Sequence, residues 1–124
     1  MFGKDLFIEQ LKQLGYTPEV QEGTTRVVIS YTIGAGKFKD HTITIGIEVP
    51  GDFAVTCPTG PHISPRLIDI NTGATDNTRS AESPFGAAWQ YLSRPFPSGV
   101  EAWNRTSKDA KAYMRHIKRI LETL

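Results

Sequence analysis

His41-Thr-Ile-Thr-Ile-Gly-Ile-Glu-Val49 is the stretch whose reading decides the fold. Ile43, Ile45, Ile47 and Val49 alternate with Thr42, Thr44, Gly46 and Glu48. A period of two puts the first set on one face of a pleated strand and the second on the other. Upstream, Thr25–Ile33 repeats the pattern, with Val27, Ile29 and Tyr31 set against Arg26, Val28 and Ser30. Gly34-Ala35-Gly36, with Lys37 and Asp40, is the flexible polar connection of a hairpin. Glu19–Glu22 adds a short strand in front. The expectation is an antiparallel meander with one buried face.

Helices flank the strands. Leu6, Phe7, Leu11 and Leu14 recur at helical spacing, Gly15 stands where a left-handed cap belongs, and Pro18 stops the run. At the other end Ala110, Tyr113, Ile117, Ile120 and Leu124 form an apolar stripe, with Thr106 or Ser107 as the expected N-cap. Lys108, Lys111, Arg115, Lys118 and Arg119 lie on the far side and read as a solvated face; a partner there would be an acidic protein. Between meander and last helix the texture changes: seven of the eight prolines fall between Pro50 and Pro97, and Asn71–Ser83 is small and polar. Proline removes an amide donor, so this stretch is expected to be ordered irregular loop around at most one short strand, near Ile63–Ile70. Phe85–Leu92 reads equally as a short helix or a strand. Trp89 and Trp103 are both expected in the core.

The whole, residues 1–124, has the size of one domain, with 39% hydrophobic and 22% charged residues, as in ordinary globular chains. The formal net charge of +1 argues against a nucleic-acid coat. No apolar run has the ~18–20 residues that span a bilayer, and the first residues lack the layout of a cleavable signal, so a cytoplasmic protein without membrane or nucleic-acid partners is expected. One cysteine, Cys57, excludes an internal disulfide framework. His41, His62 and His116 lack the close pairing of a structural zinc site, so neither metal nor organic cofactor is expected. Phosphate-cradling glycine loops and a GxSxG elbow are absent as well.

What remains is Val49-Pro-Gly-Asp-Phe-Ala-Val-Thr-Cys-Pro-Thr-Gly-Pro-His-Ile-Ser-Pro65 and, beyond it, Trp89-Gln-Tyr-Leu-Ser-Arg94. A strand entering a proline-stiffened flap, then a polar loop, a tryptophan (Trp103) and a C-terminal helix resembles the ubiquitin-conjugating (UBC) fold. Gly60-Pro-His-Ile-Ser-Pro65 and Trp89–Arg94 look like its prokaryotic branch, found in bacterial ubiquitin-like modification operons. The resemblance implies an α+β fold in which a four-stranded antiparallel meander packs against an N-terminal and a C-terminal helix. It also implies a carrier that accepts a ubiquitin-like protein from an activating enzyme and passes it to a target amine.

Two departures shape the site. There is no His-Pro-Asn turn, and no cysteine several residues before the helix-opening tryptophan. Ser93 is the nucleophile in that window, which makes a serine oxyester the implied linkage, with His62 as base or oxyanion donor and Arg94 countering negative charge. Cys57 is the chemical alternative, because a thiolate carries acyl groups better, although a lone cysteine between Val55 and Pro58 also fits a small buried apolar residue. Ser83-Pro-Phe85 falls near the place of His-Pro-Asn if 68–82 is an insertion. The same departures admit a non-catalytic UBC-like adaptor that binds a ubiquitin-like protein, or an unrelated interaction domain.

Overall fold

The structure is a computed structural model; it describes residues 1–21, 23–75, 78–93 and 99–124, with the backbone alone for 99–101. Its centre is the hairpin of β2 (Arg26–Thr32) and β3 (Thr42–Glu48), in register Val27↔Ile47, Ile29↔Ile45 and Tyr31↔Ile43. Val27, Ile29, Ile43, Ile45 and Ile47 are buried, as the alternation requires. Asp40 closes the connection through its N–H to the Ile33 carbonyl (2.7 Å), with Gly36 and Asp40 both at positive φ. β1 (Glu19–Val20) pairs with β2, and β4 (His62–Ser64) pairs with β3, both antiparallel.

The sheet does not stop at four strands. Its order is β1-β2-β3-β4-β6-β5, where β5 is Ser80–Glu82 and β6 is Gln90–Leu92, all neighbours antiparallel. Three-residue strands are too short for any period to show in sequence; they exist because β4 offers a free ladder edge to Gln90 and Tyr91. The expected strand over Ile63–Ile70 ends at Ser64, because Pro65 has no N–H to continue the ladder. Buried Gln90 takes over from it. Its Oε1 accepts from the Leu67 and Ile68 N–H groups (2.7 and 3.2 Å) and its Nε2 donates to the Ile68 carbonyl (2.9 Å).

The helices cover one face. α1 (Gly3–Gln13) buries Phe7 and Leu11, and Gly15 at φ 95° ends it, as expected. α3 (Ala110–Glu122) buries Ala110, Tyr113, Ile117, Ile120 and Leu121. Its N-cap is Asp109, whose carboxylate accepts from the Ala112 N–H (2.8 Å), in place of Thr106 or Ser107. Thr106 instead turns the chain ahead of the helix, taking the Lys108 N–H on its hydroxyl (3.0 Å). Trp103 lies inside a separate short helix, α2 (Gly99–Asn104).

The flap between β3 and β4 is part of the core. Phe53 is buried edge-on to Phe7 (5.0 Å between centroids), the Trp103 indole donates to the Ala54 carbonyl (2.9 Å), and the Tyr113 hydroxyl donates to the Thr59 carbonyl. Burying Phe53 alone contributes on the order of 2–3 kcal/mol. Trp103 is a core residue, but Trp89 is only half-buried and sits on the opposite side of the sheet, packed on a ring that itself lies over Gly46. No helix among the described residues is long and apolar enough to cross a membrane.

Candidate functional site

Strand alternation splits the chemistry of β4 and β6 between two faces. Ile63 and Gln90 face the helices, while His62 and Tyr91, opposite each other in register, face away. Gly46 is the β3 partner of His62. With no side chain there, the ring of Phe85 settles on the backbone: a Cβ at Gly46 would stand only 2.5 Å from the Phe85 Cε2. Phe85 and Tyr91 flank the imidazole of His62 at centroid distances of 4.5 and 4.7 Å, and Trp89 packs on Phe85 at 5.0 Å. The Arg26 guanidinium lies over the Phe85 ring at 4.6 Å and pairs with Glu48 at 3.2 Å.

His62 is the buried polar centre of this cluster, 4% exposed. Its Nδ1 is 2.8 Å from the Ser83 hydroxyl, which also accepts the Phe85 N–H at 3.1 Å. Burial pushes the imidazole pKa down to about 4; Arg26 lowers it further and Glu48 opposes the shift. A neutral ring can accept at Nδ1, and Ser83, having accepted from Phe85, has its proton to give. The site therefore places a hydroxyl against a neutral imidazole inside an aromatic sleeve.

Among the described residues, the side-chain hydrogen bond of His62 goes to neither Ser93 nor Cys57. Ser93 follows β6, half-buried, and its N–H donates to the Arg79 carbonyl (3.3 Å). The serine in contact with His62 is Ser83. Arg94 lies outside the described residues. Cys57 is half-buried in the flap against the core, and burial pushes its thiol up to about 12, which disfavours the thiolate. No group of three or more His, Cys, Asp or Glu among the described residues is placed to hold a metal ion. An open cleft of about 620 Å³, lined by Lys37, Arg66–Asn71 and Thr78, includes none of Ser93, His62 or Cys57.

Sequence reasoning put Ser83-Pro84-Phe85 near the missing turn but gave these residues no role, and it missed Gly46 as a point of close approach. The available signal was a glycine in the middle of a β-branched strand, which marks a close approach from outside the sheet. Compared with protein-family models, curated proteins and solved structures, the chain matches none.

Proposed function

We propose that the protein is a UBC-like module that holds a ubiquitin-like protein, acting as an adaptor and not as a thioester carrier. The observation that carries the adaptor half of this reading is the placement of Cys57, half-buried in the flap and packed against the core, where burial disfavours the thiolate that would take an acyl group. The UBC-like half is supported by element order. An N-terminal helix, an antiparallel meander, a proline-rich flap bound into the core between β3 and β4, and a C-terminal helix follow one another as the resemblance requires. The β5–β6 pair extends the sheet beyond the four strands that the resemblance implies.

One contact favours a second reading, transfer through a serine oxyester. In it the Ser83 oxygen adds to the thioester carbonyl of the incoming ubiquitin-like protein, its proton passes to Nδ1 of His62, and the activating enzyme's thiolate leaves. Ser93, with Arg94, is the other candidate carrier, and it has no imidazole beside it among the described residues.

A charging assay with intact-mass detection separates these readings. The protein is mixed with ATP, a bacterial ubiquitin-like protein and its activating enzyme, in wild-type, Ser83→Ala, Ser93→Ala and Cys57→Ala forms. The adaptor reading expects a native complex without a covalent adduct. An adduct that resists thiol and disappears only in one serine variant replaces it with an oxyester carrier at that serine. A thiol-labile adduct lost in Cys57→Ala overturns the argument from Cys57, and absence of any complex overturns the UBC-like reading itself.

A further inference from the structure

At the β1–β2 side of the molecule, the end of α1, the start of the meander and α3 enclose an open groove of about 280 Å³, lined by Leu14, Tyr16, Tyr31, Lys111, Met114, Arg115 and Lys118. Its floor is apolar. Met114 belongs to the core, Leu14 is 40% exposed, and Tyr16 and Tyr31 stack at 6.5 Å. Its rim is cationic: Lys111, Arg115 and Lys118 recur at i, i+4 and i+7, so α3 presents them in one row, all exposed. Neither ion pair among the described residues, Arg26–Glu48 or Arg66–Glu82, uses them. The acid of the same helix, Glu122, directs its carboxylate to Gly34 of the hairpin.

We infer that this groove is a docking surface for an acidic protein segment carrying one large apolar side chain. The apolar side chain seats between Leu14 and the tyrosines, and carboxylates on either side meet Lys111, Arg115 and Lys118. Size and charge select this occupant. At about 280 Å³ the groove stands at the lower edge of the ~300–1,000 Å³ of small-molecule pockets, and it is open to solvent, which suits one side chain of a longer segment. A chain of net charge +1 has little long-range pull on a polyanion such as nucleic acid, whereas three unpaired cations around an apolar floor complement a short acidic segment. The inference is independent of whether the protein handles a ubiquitin-like partner.

The test is fluorescence polarisation with a fluorescein-labelled peptide of glutamates around a central Leu-Phe pair. The same peptide with Gly-Ser at its centre, fluorescein-labelled oligo-dT and phosphatidylserine vesicles are run beside it. Binding of the Leu-Phe peptide is expected to weaken about tenfold or more in the Lys111→Glu/Arg115→Glu variant and several-fold in Leu14→Ala. It should also fall steeply with salt, and stay unchanged in Arg79→Glu, across the sheet beyond β5. No binding, equal binding after charge reversal, or equal binding of the Gly-Ser peptide overturns the inference. So does tighter binding of oligo-dT or vesicles through the same residues.

Discussion

Gly46→Ala tests whether the outer-face cluster is held by a ring lying on bare backbone. Gly46 lies in an ordinary strand with no positive φ, so alanine by itself should favour the strand by about 0.5–1 kcal/mol through reduced backbone entropy. Against this, its Cβ would stand 2.5 Å from Cε2 and 2.9 Å from Cδ2 and Cζ of Phe85. Carbon atoms settle at about 3.5–4.0 Å, so the ring must retreat by roughly 1 Å. Retreat weakens two ring contacts, with His62 and Trp89, worth about 0.5–1.5 kcal/mol each. It also weakens the Arg26 contact, worth about 0.5–1 kcal/mol. The net expectation is a loss of about 1–2 kcal/mol, read as a shift in the urea midpoint at unchanged slope. In a Phe85→Ala background the clash is gone, and Gly46→Ala should be neutral or stabilising, giving a coupling energy of about 2 kcal/mol in the double-mutant cycle. An equal penalty in both backgrounds would refute the placement of Phe85 over β3.

Other expectations follow from single residues. His62 has a folded-state pKa of about 4 against an ordinary 6.5, so its contribution is complete above about pH 6.5 and is lost as pH falls toward 4. The loss amounts to up to about 3 kcal/mol, and urea midpoints between pH 4 and 7 should show a slope that His62→Gln removes. Cys57 should react with iodoacetamide at pH 8 more than tenfold slower in the native protein than in urea, because burial disfavours the thiolate; equal rates would reopen it as a carrier. Asp109→Ala should cost about 1 kcal/mol in thermal unfolding through loss of the α3 cap. Ser93→Ala should stay within about 0.5 kcal/mol of wild type, and unfolding of that variant would assign Ser93 a structural role.

Legibility in the sequence tracked the length of each pattern. The β2–β3 hairpin, α1 and α3 were readable because their apolar positions repeat over seven or more residues, long enough to separate a period of 2 from one of 3.6. The α3 cap was misplaced because Thr106, Ser107 and Asp109 are all competent caps, and the choice among them depends on how α2 hands the chain over. Trp103 and Trp89 look alike in sequence. Only the first finds a buried carbonyl, that of Ala54, for its N–H, while the second lies on the far face of the sheet over Phe85.

By itself, then, the sequence determined the α+β class, the antiparallel pairing at the centre and which face of the hairpin is buried, since these follow from alternation within single segments. Tertiary structure alone decided that the sheet has six strands and that Ser83, not Ser93, meets His62. It also decided that Cys57 is half-buried against the core and that cations on α3 frame a groove lined from the end of α1 and from β2. The physical reason is the same in each case: these features depend on residues far apart in the chain sharing a ladder edge, a buried volume or a surface. Such sharing leaves no period in the sequence to read.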